Sequence, residues 1–388
     1  MQKLRIGLLI ENLHRHGGLE RRTSALANGL LAAGHEVHIY ANEWDSEAAE
    51  GAHFHRVPML KLDRATKVLG FAWLSSRLAA GNDLIHTQAR VFRYDVATLG
   101  VGCHRAYLDA VGIDPARAPG RWFHKTHLYI ERSMLAPERF AAGTRVIVNS
   151  NRCKAEFINY YGVPEDKISV VRNGVDREAF SAASLADSRP ATRWELGIPP
   201  HETAVLFVGS GFRRKGLDTL IQAVGRIRGA SSAGPNGLRL LIVGRGSRDT
   251  YAKLAHSVGI GERLIWIGQA QPKDVAKFYA AADVFVLPTR YDPFANSTLE
   301  ALACGLPVIT TDANGVSEIL RNGVDSLIVK PDDAEALAEG LGAVVDDAEF
   351  RQHLGTNGLK TVEPYTWQKT TEQTLDVYET VIAHRSEA

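Results

Sequence analysis

Short apolar runs alternate along the chain with segments whose apolar residues recur at helical spacing. Residues 4–10 form an apolar run that predicts a strand buried on both faces. A glycine pair follows, and the leucines between positions 19 and 31 then fall on one side of a predicted helix that ends at Gly34. Further strands are predicted at residues 36–41, 83–86 and 145–148. This alternation predicts a parallel, doubly wound α/β sheet.

The same alternation begins again near residue 203. A strand is predicted at residues 204–208, and apolar residues then follow at helical spacing between positions 217 and 227. Residues 231–237 are predicted as a variable surface loop. Additional strands are predicted at residues 240–243, 264–267, 284–287 and 308–311. Two α/β halves also suit a length of 388 residues, which is long for one domain.

The boundary between the halves is predicted from composition. Residues 181–200 are rich in Ala, Ser and Pro and lack periodicity, so we expect a linker there. The N-terminal domain is then 1–180 and the C-terminal domain is 201–365. Residues 366–385 are predicted as one helix that is able to pack back on the first domain.

Composition narrows the class of protein. Apolar residues make up 45% and charged residues 23%, as in a soluble globular protein. The net charge of +1 gives no global field for nucleic acid, so we expect no nucleic-acid partner. Three widely separated cysteines argue against disulfides and for the cytoplasm. No apolar run reaches the roughly 18 residues of a bilayer span, and we expect the protein to begin near Met1 and to stay in the cell.

The segment 291–301 is the most informative for chemistry, because it follows a buried strand and opens a helix. Ligands of open α/β sheets bind beyond the carboxyl ends of the strands, and a helix N-terminus attracts phosphate. Glu300 is placed to accept both ribose hydroxyls of a nucleotide, and Asp292 to hold a sugar hydroxyl near the phosphates. The alternative is that Asp292 is a loop acid and Glu300 a solvated helix residue.

A second strand-to-helix turn, residues 209–216, combines glycines with three cations. Glycines let a phosphate approach the backbone, and Arg213, Arg214 and Lys215 would neutralise the phosphate. The turn lacks the order of a Walker A loop, and the alternative is an exposed basic turn. A third turn, Gly17-Gly18, is not the dinucleotide fingerprint; it is either plain turn chemistry or a loop that closes over donor phosphates.

The histidines and acids allow narrower predictions. His104, His86, His14 and His16 are each either structural or catalytic, and a lone histidine is more often structural. The sequence contains no Asp-x-Asp motif, so we expect no metal ion between the diphosphate and carboxylates. Cofactors are likewise not expected.

The segment 121–129 mixes cations with aromatic residues and contains no acid. Arg121 and Lys125 together with Trp122, Phe123 and Tyr129 suit an anionic membrane surface. The alternative is an ordinary amphipathic helix that packs against the core.

Taken together, these residues resemble a known family. The chain is similar to the retaining glycosyltransferases of family 4, whose GT-B fold has two Rossmann-like domains facing a central cleft. The resemblance covers nearly the whole chain, and the block at residues 299–308 is highly specific. Within the family, Gly209-Ser210 beside Arg214-Lys215-Gly216 is most similar to glucosyltransferases that add the first glucose to heptose of the lipopolysaccharide inner core. The other matching motifs are Gly17-Gly18, Gly34-His35-Glu36-Val37, Val148-Asn149-Ser150 and Asn173-Gly174-Val175-Asp176.

The resemblance implies roles for the donor-binding residues. Lys215, with Arg214 or Arg213, would bind the diphosphate, and Glu300 would hold the ribose. The backbone around Ala295, Asn296 and Ser297 would contact phosphate and sugar, and Gly17 with Gly18 would lie over the donor.

The resemblance also implies a catalytic set of Asp292, His104 and Lys215. Asp292 stands where the family usually has glutamate. His104 lies near a histidine or aspartate that relatives use, while Val101 stands where the closest relatives carry an acid.

The implied reaction moves a hexose, with retention and without metal, from a nucleotide sugar such as UDP-glucose to a glycan or lipid-linked glycan such as the lipopolysaccharide core heptose. The enzyme would then be cytoplasmic and peripheral at the inner face of the plasma membrane. The alternatives are a family 4 transferase for another sugar or a soluble acceptor, a sugar-nucleotide epimerase, and a non-catalytic sugar-binding protein. A nicotinamide-dependent dehydrogenase is disfavoured because the chain lacks GxGxxG.

Overall fold

The computed structural model describes residues 2–14, 17–59, 63–227 and 237–387. The chain divides into two compact units. The first comprises Met1–Gly174 and Trp367–Ala388, and the second comprises Val175–Thr366. Each unit contains a parallel sheet with helices on its faces, which confirms the predicted α/β class.

The first unit is built on a parallel sheet, seven-stranded in the part of the chain that is described, in the order β5-β3-β1-β6-β7-β8-β9. The strands are β1 (Arg5–Leu9), β2 (Asn12–Leu13), β3 (Glu36–Ala41), β4 (Glu43–Trp44), β5 (His53–Arg56), β6 (Leu84–Thr87), β7 (Val96–Thr98), β8 (Arg145–Val148) and β9 (Ile168–Val170). The helices are α1 (Gly18–Ala32), α2 (Arg64–Leu78), α3 (His104–Ala110), α4 (Arg121–Met134), α5 (Pro137–Ala141) and α6 (Asn151–Tyr161). The two-residue strands β2 and β4 pair with each other outside the sheet.

The second unit is built on a parallel sheet in the order β12-β11-β10-β13-β14-β15. The strands are β10 (Thr203–Val208), β11 (Leu238–Val243), β12 (Leu264–Gly268), β13 (Val284–Leu287), β14 (Val308–Thr311) and β15 (Leu327–Val329). The helices are α7 (Ala182–Leu185), α8 (Ser188–Glu195), α9 (Phe212–Lys215), α10 (Leu217–Arg226), α11 (Arg248–Ser257), α12 (Pro272–Ala281), α13 (Asn296–Ala303), α14 (Ala334–Asp346) and α15 (Ala348–Val362). Short 3-10 helices lie at Gly261–Arg263 and Gly315–Ile319 in this unit, and at Ser46–Ala48 and Glu165–Lys167 in the first unit.

The order of strands reflects the pattern of the sequence. The central strands β10 and β13 consist almost wholly of buried apolar residues, because helices cover both faces of a parallel sheet. The strand order reverses at β10, where the chain moves from β11 and β12 on one side to β13 on the other. Such a reversal leaves room at the carboxyl ends of the two central strands, where ligands of open α/β sheets bind.

The predicted linker at 181–200 is wrong. This segment forms α7 and α8, which belong to the second unit, and the chain passes between the units after Gly174 and before Trp367. Arg193 is buried and donates hydrogen bonds to the carboxylate of Asp283 at 3.0 Å and to the carbonyl of Ala281 at 3.0 Å. The composition, rich in Ala, Ser and Pro, gave no sign of these two short helices or of the arginine that anchors α8.

The last helix, α16 (Trp367–Glu387), is part of the first unit. It packs against α1, where the absence of a side chain at Gly29 makes room for Thr371. Its buried Tyr378 contacts Nδ1 of His86 through a 2.6 Å hydrogen bond, and His86 also contacts the hydroxyl of Thr98 at 2.8 Å. The helix therefore completes the first core, and His86 is a buried structural residue.

Two predicted features fall largely outside the described residues: the loop at 231–237, of which only Gly237 is described, and His16. Nowhere in the described chain is a helix both long enough and apolar enough to cross a lipid bilayer.

Candidate functional site

The turn after β10 positions the cations of the second unit. Gly211 and Gly216 both adopt left-handed backbone angles and bracket the single-turn helix α9. A side chain at Gly216 would place its Cβ 1.9 Å from the carbonyl oxygen of Pro288, so only glycine permits this approach. The close contact brings the end of α9 against the chain that leaves β13. Arg214 and Lys215 therefore face the segment that contains Asp292.

Lys215, Arg214 and Asp292 form an ionic cluster in which Lys215 and Asp292 are buried and Arg214 is half-buried. The ammonium of Lys215 forms an ion pair with Oδ2 of Asp292, and the guanidinium of Arg214 donates to the same oxygen at 3.0 Å. Arg214 also donates to the carbonyl of Tyr291 at 3.0 Å. Lys215 is 7% exposed and Asp292 is 6% exposed. The Asp292 carboxylate thus holds two cations at the carboxyl edge of the sheet.

Both side-chain hydrogen bonds to Asp292 from described residues end on Oδ2. Burial alone would raise the pKa of Asp292, but the charges of Lys215 and Arg214 outweigh burial and hold this pKa below its ordinary value. Asp292 is therefore an anion whose Oδ1 remains able to accept a hydroxyl.

Glu300 lies inside α13 and is 3% exposed, so the alternative of a solvated helix residue is wrong. The hydroxyl of Tyr279 donates to its Oε2 at 2.8 Å. Glu300 also interacts electrostatically with Lys215. A buried carboxylate that accepts from a phenol and is close to a cation is a fixed acceptor for ligand hydroxyls.

The start of α13 is held by Asn314, a residue that the sequence analysis missed. Asn314 is fully buried, and its Oδ1 accepts from the backbone nitrogens of Ala295 and Val316, each at 3.2 Å. Its amide donates to the hydroxyls of Thr298 and Thr310, each at 3.0 Å. Asn314 also caps the 3-10 helix Gly315–Ile319 through Val316, but its contacts with Ala295, Thr298 and Thr310 join other elements, which no local motif reveals.

Arg290 stabilises the same edge of the second sheet through bonds to neighbouring elements. Arg290 donates to both carboxylate oxygens of Asp218 at 2.9 and 2.8 Å, pairs with Asp332 at 2.5 Å, and contacts the carbonyl of Arg213. These bonds tie the chain after β13 to α9 and α10. The side chain of Arg213 itself is exposed.

The other candidate residues belong to the first unit. Gly17 has an extended backbone and precedes α1, whose first residue is Gly18. A Cβ at Gly17 would lie 1.8 Å from the carboxylate of Glu20, so the glycine allows Glu20 to fold back over the helix start. His14 contacts Asp45 at 3.4 Å, and Val101 is exposed.

His104 begins α3 and is 8% exposed. Its backbone nitrogen donates to both oxygens of the fully buried Glu131, and its Nε2 lies 3.2 Å from Nδ1 of His124. Burial lowers the pKa of His104 to about 2, helped by the charges of Arg90, His127 and His124. His104 is therefore a neutral imidazole, suited to accept a hydrogen bond and unsuited to act as a cation.

The cationic and aromatic residues of 121–129 lie on α4. Arg121, Trp122, Lys125 and Tyr129 are exposed, while His127 and Ile130 are buried. The helix therefore packs one face on the core and presents cations and large aromatic rings on the other. Trp122 is 65% exposed and Tyr129 is 62% exposed, which is unusual for rings of this size.

The structure thus brings Arg214, Lys215, Asp292 and Glu300 to one edge of the second sheet, beside the start of α13 with Ala295, Asn296 and Ser297. Gly17, Gly18 and His104 lie in the first unit. The roles given to these residues stay predictions.

Comparison with known proteins assigns a family to each half. The profile of Glycosyltransferase Family 4 matches residues 16–179, and that of Glycosyl transferases group 1 matches residues 188–361. An uncharacterized glycosyltransferase of Methanocaldococcus jannaschii is 27% identical over 379 residues, which are 93% of this chain and 94% of that protein. A D-inositol 3-phosphate glycosyltransferase of Xylanimonas cellulosilytica is 31% identical over 253 residues, which are 63% of this chain but only 59% of that protein.

Two solved structures show the same fold. WaaG, a glycosyltransferase involved in lipopolysaccharide biosynthesis, superposes with a TM-score of 0.84 at 20% identity and covers 96% of this chain and 99% of its own. HepE of Anabaena, in complex with UDP and glucose, superposes with a TM-score of 0.72 at 18% identity and covers 97% of this chain and 100% of its own. The chain is therefore a glycosyltransferase of the GT-B type, built from a family 4 domain and a group 1 domain.

Proposed function

We propose that this protein is a retaining glycosyltransferase that moves glucose from UDP-glucose to a hydroxyl of a glycan acceptor. The observation that carries the proposal is the meeting of Arg214, Lys215, Asp292 and Glu300 at the carboxyl edge of the second sheet. Two cations for a diphosphate and two carboxylates for hydroxyls match the parts of a nucleotide sugar. The complex of HepE with UDP and glucose supports the choice of donor.

The donor is held by charges that are already paired. Lys215 and Arg214 share Oδ2 of Asp292, so a diphosphate that binds beside them completes an alternating array of charges. Oδ1 of Asp292 would accept a hydroxyl of the sugar, and Glu300 would accept the ribose hydroxyls. Aspartate is shorter than the glutamate usual in the family. The contacts of Lys215 and Arg214 with Oδ2 fix the position of the Asp292 carboxylate.

Retention follows from the weakness of the available nucleophile. Two cations stabilise the Asp292 carboxylate, which makes it a poor nucleophile toward the anomeric carbon. The acceptor oxygen would instead bond to the anomeric carbon on the face from which the diphosphate leaves. The bond between that carbon and the phosphate oxygen breaks, and the leaving oxygen takes the proton of the acceptor hydroxyl. Lys215 and Arg214 stabilise the charge that grows on the diphosphate.

The direct test is a panel of UDP-, GDP- and ADP-sugars, screened by thermal shift and then by NMR of the product. UDP-glucose is expected to raise the unfolding temperature most, because the sugar that binds most tightly stabilises the folded protein most. A ligand at about 100 times its Kd adds about 2.7 kcal/mol to the free energy of unfolding. The product should keep the donor's anomeric configuration. Donor epimerised without acceptor would favour an epimerase, and binding without turnover would favour a sugar-binding protein.

For the acceptor, we propose the heptose of a lipopolysaccharide core. Similarity to WaaG supports a lipopolysaccharide substrate, whereas the D-inositol 3-phosphate glycosyltransferases favour a small soluble acceptor. Transfer to heptosylated core acceptor but not to inositol phosphate is the expected result. The opposite preference would replace the proposed acceptor.

We predict that transfer does not require a divalent metal at the diphosphate. The cations there are Arg214 and Lys215, which supply the positive charge that a metal provides in other transferases. Activity in excess EDTA should therefore stay within about twofold of the activity of the untreated enzyme. Loss of a charge that stabilises the transition state would lower the rate by about 100-fold or more. Loss of activity that Mg²⁺ restores would contradict this prediction.

We also propose that the outer face of α4 attaches the enzyme to an anionic membrane surface. Arg121, Trp122, Lys125 and Tyr129 share this face, and Arg121 and Lys125 lie over the Trp122 ring at 5.8 and 5.3 Å. Each basic residue near an anionic surface contributes about 1 kcal/mol. The aromatic rings add interfacial burial, so the sum supports weak, reversible attachment.

The double variant Arg121→Glu/Lys125→Glu is expected to lose sedimentation with anionic liposomes at low salt, because its two charges are reversed. The parent should also detach at 1 M salt, where screening shortens to about 3 Å. UDP affinity should be unchanged, because neither residue belongs to the second unit. Failure of the parent to sediment at low salt would refute the membrane proposal and favour a soluble acceptor.

A further inference from the structure

A cluster of imidazoles and one carboxylate lies at the edge of the first sheet, separate from the residues assigned to the reaction. β5 is the edge strand and pairs in parallel with β3, which places His38 directly opposite His53. Glu36 and His38 are two residues apart on β3, so their side chains lie on the same face. The ligand-capable atoms of Glu36, His38 and His53 all lie within 4.8 Å of one another.

His38 is the centre of this cluster. Its Nδ1 lies 2.7 Å from Nε2 of His55, and its Nε2 lies 2.7 Å from Oε1 of Glu36. The ring of His38 stacks on the rings of His53 and His55 at centroid distances of 4.8 and 5.0 Å. His38 is buried, whereas His53 is exposed and Glu36 is half-exposed. The cluster therefore has one buried member and two members that solvent reaches.

Nε2 of His38 faces two charged side chains. The Nε–H of Arg5 donates to this nitrogen at 3.1 Å, and Oε1 of Glu36 lies 2.7 Å from it. A carboxylate oxygen and an imidazole nitrogen so close together are two ligands that one cation can share.

We propose that Glu36, His38 and His53 bind a Zn²⁺ ion through one carboxylate oxygen and two imidazole nitrogens. Nitrogen and oxygen ligands of this kind suit Zn²⁺, and three protein ligands leave a fourth position for water. His55 holds Nδ1 of His38 and so orients Nε2 toward the ion, as a second partner does for most histidine ligands. Arg5 is 46% exposed, so its guanidinium turns into solvent when the ion enters.

The ion would link the edge strand β5 to its neighbour β3. Glu36 and His38 come from β3 and His53 from β5, so coordination joins the two strands through side chains as well as through the backbone ladder. Binding to the folded state alone raises the unfolding temperature. The site is thus structural and independent of the proposed donor site, which belongs to the other unit.

The test uses the full chain without an affinity tag, stripped of metal by chelation. Calorimetry with ZnCl₂ should give about one equivalent of saturable binding, and Co²⁺ should give the visible absorption of a tetrahedral complex. His53→Gln should weaken Zn²⁺ binding by more than about 100-fold, since even an outer-sphere partner is worth about 10–100-fold. His53 is exposed, so this variant keeps the fold.

The matched control is His201→Gln, which removes an exposed histidine of the second unit. It should bind Zn²⁺ as the parent does, and both histidine variants should keep parental UDP affinity. Parental Zn²⁺ affinity in His53→Gln, or no saturable binding to the parent, would overturn the proposal. Either failure leaves the proposed transferase function intact, because UDP binding is measured separately.

Discussion

Lys215→Ala is expected to lower kcat by about 10²–10³-fold, the usual loss when one preorganised charge donor is removed from a transition state. Lys215 is buried, and its ammonium pairs with Asp292 at the edge where the diphosphate is proposed to bind. The variant should also bind UDP more weakly, because one of the two cations of the site is lost. Calorimetry with UDP and steady-state assays with UDP-glucose measure the two effects.

The same variant also removes half of a buried ion pair. An uncompensated buried charge costs about 3–5 kcal/mol, and Arg214 still contacts Asp292, so the loss of stability should fall below that range. The double variant Lys215→Met/Asp292→Asn removes both charges and should recover much of the stability. It should not recover UDP affinity, which separates the structural role of Lys215 from its role toward phosphate.

Lys253→Ala is the matched control, since Lys253 is an exposed lysine of the same unit. This control should keep the UDP affinity and the kcat of the parent. Equal UDP affinity in parent and Lys215→Ala, measured on folded protein, would refute the role given to Lys215.

Several buried strands could be predicted to the residue. β3, β8, β13 and β14 match the predicted bounds, because β-branched and apolar residues dominate strands that are covered on both faces. The buried strand β7 was missed, because a run of three residues gives too short a pattern. The strand β5 reads His-Phe-His-Arg and was missed, because it lies at the edge of the sheet formed by the described residues, where polar residues are tolerated. Composition failed at 181–200 because it does not register which arginine side chains have buried partners.

The sequence predicted those residues of the candidate site that short patterns of consecutive residues reveal. Lys215 and Glu300 were found from glycine-rich turns and helix starts, which are features of a few consecutive residues. Tyr279 and Asn314 were missed because they act on these elements from elsewhere in the chain. The cluster around His38 likewise depends on the register between β3 and β5, which no short motif encodes.

Glu300→Gln is expected to weaken UDP binding by roughly 10- to 100-fold while the fold survives. A hydrogen bond to a charged group contributes about 1.5–3 kcal/mol, and an amide cannot accept two ribose hydroxyls as a carboxylate does. Tyr279 already donates to Oε2 of Glu300, so the carboxylate is held in place before ligand binds. Glutamine has the same shape and leaves α13 and its Asn314 contacts unaltered.

A ligand without ribose hydroxyls isolates this interaction. The 2′,3′-dideoxy form of UDP should bind the parent and Glu300→Gln with nearly equal affinity. In neither complex can residue 300 accept a hydrogen bond from a ribose hydroxyl, because the ligand has none. Tyr279→Phe, which keeps the carboxylate but removes its phenol partner, should weaken UDP binding less than Glu300→Gln does. A variant that loses affinity equally for UDP and for the dideoxy form would show that Glu300 acts on the diphosphate through Lys215. Parental affinity for UDP in Glu300→Gln would leave the ribose without its proposed partner.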